Sequence, residues 1–262
     1  MKRKTGILAG AVAAYIAASM AMAQFGSNQQ DPNVLPDYPE AEFHMARMAY
    51  FSPGCAGSRG RCNSYWAIDY PEAEVHFLPA LERFTRIDTI YDSAHIRLTD
   101  DELFDYPFLF LQQPGINPWN PTDEEAERLR EYLMRGGFLV ADDFHGENEW
   151  YYFERAMELV LPGLPIVDIE ESNALLNIIF DVDKRTQIPG YRHLNYDGTA
   201  RMEGDPHWRA IYDQDGRMLV AINHNIDMGD AWEHADYPDY PVEMTATAYR
   251  FGVNYVIYAM TH

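Results

Sequence analysis

Two short, continuous apolar runs constrain the fold of this chain more than any other feature of its sequence. The first covers residues 108–111 in P-F-L-F-L-Q-Q, and the second covers 138–141 in F-L-V-A-D. Strands buried on both faces of a parallel sheet have this composition, whereas a strand with one solvated face alternates apolar and polar residues. The two runs therefore predict central strands of a covered parallel sheet.

The segment between the two runs predicts a helix. T-D-E-E, beginning at Thr122, is a capping box of the kind that starts a helix. Ala126, Leu129 and Leu133 then share one face, and Gly136 stands where a C-terminal cap belongs. Because parallel neighbours must be joined by a crossover, usually a helix, this order predicts a βαβ unit.

The same alternation of strands and helices extends along most of the chain. Further strands are predicted at 42–51, 86–90 and 164–169, and further helices at 70–85 and 148–160. In the first of these helices, Val75, Leu78, Leu81 and Phe84 recur at helical spacing. T-D-D-E, beginning at Thr99, predicts a second capping box before a short helix.

The C-terminal third predicts a hairpin and a terminal helix. The hairpin covers 208–222 and turns on Asp215-Gly216. The helix, at 241–260, is expected to pack Met244, Ala248, Phe251, Tyr255 and Tyr258. The expected fold class is α/β: a mostly parallel sheet with helices on both faces, and a C-terminal β-hairpin plus a terminal helix.

The N-terminus has the order of a secretory signal peptide. Lys2, Arg3 and Lys4 precede a small-residue apolar stretch that ends in Ala21-Met22-Ala23. We predict a signal peptide at 1–23, a flexible lead-in at 24–41 and a single α/β domain at 42–262. The alternative is an uncleaved anchor, although the apolar run is short for a span. Cleavage would leave an exported protein, periplasmic or secreted, without stable membrane insertion.

The chain is strongly acidic. Its formal net charge is -21, and removal of the three basic residues of the signal peptide would make it -24. Such a surface repels phosphate backbones, so the composition predicts that nucleic acid is not a partner. It suits solubility, cations and neutral ligands.

Two cysteines, Cys55 and Cys62, bracket a glycine-rich stretch. In an exported protein this arrangement predicts a disulfide that closes a small ring. A thiol nucleophile would need a nearby histidine and a reducing or protected environment, so the disulfide is the favoured interpretation.

Polar residues directly follow the second apolar run. Asp142, Asp143 and His145 lie where a doubly wound sheet presents its ligands, at the carboxyl end of a strand. Neighbouring carboxylates suit acid/base work or the binding of a cation. The alternative is that an aspartate caps the next helix or holds the turn.

A second polar stretch, N-H-N-I-D-M-G-D-A-W-E-H at 223–234, follows the hairpin. It carries the further candidate ligand-binding residues His224, Asp227, Asp230, Trp232 and Glu233. Its spacing fits neither the calcium loop nor H-E-x-x-H, so we predict no metal and no cofactor. The aspartates are alternatively helix caps, and Trp232 is a residue that packs on the sheet or stacks on a sugar. If the hairpin lies beside F-L-V-A-D, both polar stretches converge on one cleft.

Four motifs in order resemble the bacterial family called domain of unknown function 4159. They are Y-P-F-L-F-L, L-R-E-Y-L-M-R-G-G-F-L-V-A-D-D, D-G-R-M-L-V-A-I-N-H-N-I-D-M-G-D-A-W-E and Y-R-F-G-V-N-Y-V-I-Y. The resemblance implies a flavodoxin-like sheet, similar to class I glutamine amidotransferases and trehalose-utilisation-type proteins. It implies no established activity. The amidotransferase thiol does not carry over, because the corresponding turn, A-D-D-F-H-G, contains no cysteine.

These observations favour a non-catalytic envelope module that binds a small molecule, a glycan or an envelope protein. The alternative is a hydrolase-type enzyme, with carbohydrate as a candidate substrate. In that alternative Asp142, Asp143 or His145 acts as acid or base, and the 223–234 stretch holds the substrate or a metal.

Overall fold

A computed structural model describes residues 40–51, 65–115, 119–182, 185–201 and 204–262. These residues belong to one compact unit, Tyr38–His262. The signal peptide, most of the lead-in and both Cys55 and Cys62 lie outside the described residues. The cleavage and the disulfide therefore stay predictions.

Seven strands form one sheet. They are β1 (Phe43–Met48), β2 (Thr89–Ile96), β3 (Phe108–Gln112), β4 (Phe138–Phe144), β5 (Ile166–Asp168), β6 (His207–Tyr212) and β7 (Met218–His224). The helices are α1 (Glu72–Thr85), α2 (Asp123–Met134), α3 (Gly146–Val160), α4 (Met228–Glu233) and α5 (Val242–Thr261). Every strand predicted from the sequence is present, including the hairpin of β6 and β7.

The strand order is β2-β1-β3-β4-β7-β6-β5. The pairs from β2 to β7 are parallel, and the β7-β6 and β6-β5 pairs are antiparallel. The parallel part repeats the 2-1-3-4-5 order of flavodoxin-like sheets, in which ligands bind beyond the carboxyl ends of the strands. The predicted fold class is confirmed.

Helices cover both faces of the sheet. Every residue of β3 and β4 is buried. Phe108 and Phe110 pack into the core cluster with residues of α1, α4 and α5. Leu109 and Leu111 alternate with these phenylalanines along the strand, so they point to the opposite face, where α2 and α3 pack against each other.

The two predicted capping boxes have different outcomes. At Thr122 the box is present, with reciprocal hydrogen bonds between this residue and Glu125. At Thr99 a short helix follows as predicted, the 3-10 helix Asp101–Asp105, but its N-cap is Asp100 and no side chain caps it, so the box is absent. The Asp100 carboxylate instead accepts a hydrogen bond from the backbone N–H of Arg97, which holds the preceding turn.

Helix α1 buries a different face from the one that apolar spacing indicates. Val75 and Phe84 are each 53% exposed, although they recur with the buried Leu78 and Leu81. The cause is Glu74, whose carboxylate is buried against Arg47 of β1. This ion pair turns Glu74 towards the sheet, so its neighbour Val75 points to solvent.

The terminal helix α5 packs as predicted. Ala248, Phe251, Tyr255 and Tyr258 are buried, and Met244 packs against the same core. Among the described residues, no helix combines the length and the apolar character that a membrane span requires.

Candidate functional site

A cavity of about 760 Å³ lies at the carboxyl edge of the parallel strands. Gln113 follows β3, Asp143 belongs to the end of β4, and Asp227 follows β7; all three line the cavity. The two polar stretches singled out in the sequence therefore meet in one cleft. We call this cavity the acidic cleft, because five carboxylates line its described part: Asp69, Asp143, Asp227, Asp230 and Glu233.

A bulge in β4 separates the roles of two consecutive aspartates. Ala141 is paired with Ile222 and Phe144 with His224, so β4 uses one more residue than β7 between these pairs. The extra length falls at Asp142 and Asp143, and Asp143 has a left-handed φ of 56°. Asp143 lines the cleft, whereas Asp142 is fully buried behind it.

Unusual backbone conformations concentrate at this edge. Five non-glycine residues of the described chain have positive φ, and four of them are Asp69, Gln113, Asp143 and Asn225. The first three line the cleft, and Asn225 accepts a hydrogen bond from Gly146 N beside it. Residues held in this region cost free energy that the surrounding structure must supply, and they cluster at functional sites.

Asp143 is the centre of a hydrogen-bond network in the cleft. Its Oδ1 lies 2.8 Å from His145 Nε2, and its Oδ2 accepts from Gln113 Nε2 at 2.5 Å and Gln112 Nε2 at 3.2 Å. Gln112 also donates to Asp69 at 2.6 Å. Two amide side chains thus separate two buried carboxylates. A carboxylate that orients an imidazole in this way can serve proton transfer or metal binding.

Burial and mutual charge shift the pKa values of Asp69, Asp227 and His145 in the cleft. Burial and the nearby charge of Asp143 raise the pKa of Asp69 and that of Asp227 well above the ordinary range. Burial opposes the charged form of His145, but the hydrogen bond to Asp143 together with the charges of Asp143, Glu149 and Asp142 outweighs that effect and raises the pKa of His145. The cleft therefore favours either protons or other positive charge among its carboxylates.

The buried carboxylate of Asp142 accepts hydrogen bonds from neighbouring protein groups. Its Oδ2 accepts from the backbone N–H groups of Met228 at 2.7 Å and Gly229 at 3.1 Å, and its Oδ1 accepts from Asn223 Nδ2 at 3.0 Å. Asp142 thus caps the first turn of α4 from a neighbouring strand. Burial, with the charge of Asp143, raises the pKa of Asp142 to about 7.

The carboxylates of Asp227, Asp230 and Glu233 line the cleft, and that of Asp227 also caps helix α4. Asp227 Oδ1 accepts from Asp230 N at 2.9 Å, which is the predicted cap. Asp230 Oδ2 accepts from Tyr191 N at 2.5 Å, and its Oδ1 lies 2.8 Å from His234 Nδ1. Glu233 lies beside this pair, with its carboxylate 3.5 Å from the same ring nitrogen.

Three predicted ligand-binding residues lie outside the cleft lining: Asp142, which is buried behind it, Trp232 and His224. Trp232 is 1% exposed and stacks on Phe77 at 4.3 Å in the core, so its ring offers no face to a ligand. His224 stacks on His207 at 5.7 Å, and its Nε2 lies 3.0 Å from Gly146 O. Burial lowers the pKa of His224 to about 4.

His224 is expected to make the fold acid-sensitive. The pKa of His224 is about 4 in the folded protein and 6.5 in the unfolded chain, so acid protonates the unfolded chain first. The stability that neutral His224 contributes to the fold is therefore complete above pH 6.5 and is lost as pH falls towards 4. The unfolding free energy of the parent should fall between roughly pH 7 and 4.5. That of His224→Gln should fall by about 1–3 kcal/mol less over the same range. Urea unfolding at both pH values measures this, with exposed His262→Gln as control. Equal acid losses in parent and His224→Gln would contradict the assignment.

Sequence reasoning missed several residues of the cleft. Gln113 follows a predicted buried strand, so the rule that selected Asp143 also applied to it. His193 belongs to a 3-10 turn in the irregular segment and faces His145, with ring centroids 5.8 Å apart. Gly190 comes before that turn, and a Cβ there would lie 2.6 Å from Asp227 Oδ2. No sequence pattern around Asp69 indicates that it lines the cleft.

The fold and the cleft together define an α/β protein with a flavodoxin-like sheet and an acidic cleft at the carboxyl edge of its parallel strands. Residues 47–260 match the family model described as domain of unknown function (DUF4159). The chain therefore belongs to that family, as the four motifs indicate. A search of curated proteins finds no match to the chain.

Proposed function

We propose that the protein is an exported, non-catalytic module of the cell envelope, whose acidic cleft binds a small ligand that carries hydroxyl groups or positive charge. The observation that carries this proposal is the gathering of five carboxylates around one cavity of about 760 Å³. A volume of this size suits a small molecule, and clefts at the carboxyl edge of such sheets are ordinary ligand sites.

The charge of the cleft supports this choice of ligand. Arg192 is the only arginine or lysine lining the described part of the cavity, against its five carboxylates. Carboxylate oxygens accept hydrogen bonds from hydroxyl and ammonium groups and repel anions. A phosphorylated or carboxylated ligand is therefore disfavoured.

An aromatic surface in the cleft supports a sugar-like ligand. Tyr191 stacks on the His234 ring at 4.7 Å, and both residues line the cavity with Tyr70. This pair replaces Trp232 as the candidate stacking surface, because the tryptophan is buried. The same proposal includes export of the protein and a glycan or an envelope protein as its partner. It also includes the finer likeness of the fold to amidotransferase-like proteins.

A ligand panel tests the proposal. Neutral saccharides, amino sugars and polyamines are added to the purified protein, and thermal unfolding is measured. A ligand specific to the folded state raises the melting temperature. We expect at least one panel member to do so, with a smaller effect in Glu233→Gln and an unchanged effect in exposed Glu243→Gln. No shift across the panel, or a shift that Glu233→Gln leaves intact, would contradict the proposal.

The alternative function is that of a hydrolase-type enzyme. The observation that favours it is the Asp143-His145 pair at 2.8 Å, because an oriented imidazole can activate water. The same panel separates the two functions by product analysis of any bound saccharide. Turnover that disappears in His145→Gln would establish the hydrolase, and binding without turnover supports the binding module.

A further inference from the structure

Asp143, His145 and Asp227 form a group with the geometry of metal ligands. One ligand atom from each lies within 4.8 Å of the other two. Metal–ligand bonds of roughly 2.0–2.2 Å place neighbouring ligand atoms roughly 3 Å apart. The 2.8 Å between Asp143 Oδ1 and His145 Nε2 agrees with such a pair of neighbours.

Gln113 supplies an independent observation at the same place. It lines the cleft, is only 7% exposed, and donates through Nε2 to Asp143. Its other amide atom, Oε1, is buried and has no hydrogen-bond partner among the described residues. A buried carbonyl oxygen without a partner costs free energy, and a cation beside Asp143 would satisfy it.

The charge balance of the cleft also favours a bound cation. Asp69, Asp143 and Asp227 are all buried. The buried arginine of the described chain, Arg47, is already paired with Glu74. Buried charges are paired or coordinate metals, and the amides of two glutamines offset the cluster only in part.

A second acidic group lies nearby and is the weaker candidate. Asp230, Glu233 and His234 also have ligand atoms within 4.8 Å of one another. Both oxygens of Asp230 have partners, in Tyr191 N and His234 Nδ1, as both oxygens of Asp143 do in the first group, so the unpartnered amide oxygen of Gln113 makes the difference. Within the described residues, none of the three carries a buried polar atom that lacks a partner.

We propose that the acidic cleft binds one divalent transition-metal ion through a carboxylate oxygen of Asp143, a ring nitrogen of His145 and a carboxylate oxygen of Asp227, with Gln113 Oε1 completing the protein ligands. The imidazole favours ions such as Zn²⁺ or Mn²⁺ over Mg²⁺ and Ca²⁺, which prefer oxygen ligands alone. The inference rests on the proposed function, because it names the first ligand of that cleft. The ion then presents open positions to hydroxyl groups of a second ligand.

Titration of chelator-treated protein with Mn²⁺, followed by the paramagnetic resonance signal of the free ion, tests the inference. We expect one Mn²⁺ per chain, displacement by Zn²⁺ and weak competition by Ca²⁺. Saturating Mn²⁺ should raise the melting temperature by about 5–10 °C.

Two variants assign the binding site. His145→Gln and Asp227→Asn should weaken Mn²⁺ binding at least about 10–100-fold, the loss that even an outer-shell partner causes. His234→Gln, in the second acidic group, should leave it unchanged. Because Asp227 also caps α4, His145→Gln carries the decision, after circular dichroism has shown that the variant is folded.

Three outcomes would overturn the metal site: no saturable uptake by the folded parent, uptake that His145→Gln leaves intact, or uptake that His234→Gln abolishes. If chelator-treated protein binds a panel ligand but takes up no Mn²⁺, this inference fails and the proposed function stands. If Mn²⁺ uptake depends on His145 while no panel ligand binds, the metal site stands and the proposed organic ligand fails.

Discussion

Replacing Glu74 with alanine is expected to lower the free energy of unfolding by about 3–5 kcal/mol, as removal of one partner from a buried ion pair does. Glu74 and Arg47 both have fully buried side chains. Arg47 also donates to the carbonyls of Trp66 at 3.2 Å and Ile68 at 2.9 Å, and Ser93 Oγ donates to Glu74 at 2.8 Å. Without Glu74 the guanidinium charge is left buried and uncompensated. Urea unfolding measures the loss.

Two controls separate the buried charge from the general effect of removing a glutamate. Glu72→Ala, at an exposed position of the same helix, should change the unfolding free energy by no more than about 1 kcal/mol. The double replacement Arg47→Met with Glu74→Leu should recover most of the loss, because no charge then stays buried. A loss below about 1 kcal/mol in Glu74→Ala would contradict this account.

The ion pair also has a consequence for the cleft. Arg47 holds the carbonyls of residues 66 and 68, and the next residue along the chain is Asp69, which lines the cavity. The buried pair is therefore a support for one wall of the acidic cleft. Its position in β1 links the stability of the core to the placement of a cleft carboxylate.

Asp142→Ala is expected to cost about 3 kcal/mol or more. Its carboxylate accepts from Asn223 Nδ2 and from the backbone N–H groups of Met228 and Gly229, all of them buried contacts. Each buried donor left without an acceptor costs roughly 1–3 kcal/mol. The melting temperature should fall by about 6–12 °C, since each kcal/mol shifts it by about 2–4 °C in a domain of this size. Differential scanning calorimetry measures both quantities.

The matched control for Asp142 is Asp101, whose side chain is 97% exposed. Asp101→Ala should stay within about 0.5 kcal/mol of the parent. If Asp142→Ala behaves like Asp101→Ala, the cap that Asp142 provides to α4 does not hold the helix in place. A large loss in Asp142→Ala alone agrees with a structural role behind the cleft.

Local pattern was sufficient for most of the framework. The apolar runs of β3 and β4, the box at Thr122 and the Asp215-Gly216 turn each depend on residues close together in sequence. The short helix after Thr99 is present, but the capping box is absent because the Asp100 carboxylate accepts a local hydrogen bond from the backbone N–H of Arg97. The exposed Val75 was placed on the wrong face because an ion pair between α1 and β1 overrides apolar spacing.

Only part of the candidate site could be predicted from the sequence. The rule for parallel sheets was enough to expect Asp143, His145 and Asp227 near one edge, and the structure brings them together. The spacing of these three residues along the chain matches no metal-binding motif, because they come from two stretches more than 80 positions apart. Rules of sequence spacing detect residues that come together within one loop. They cannot detect residues that separate strands of a sheet bring together.

The sequence by itself determined the alternation of strands and helices, and hence the edge of the sheet at which the polar side chains gather, because hydrophobic periodicity and turn chemistry are local. Only the tertiary structure decided what each polar residue does there. Asp142 and Asp143 are chemically identical neighbours, and the β4 bulge against β7 directs one into the core and the other into the cleft. Trp232 likewise became a core residue through its stack on Phe77 of α1, a contact between residues far apart in the chain.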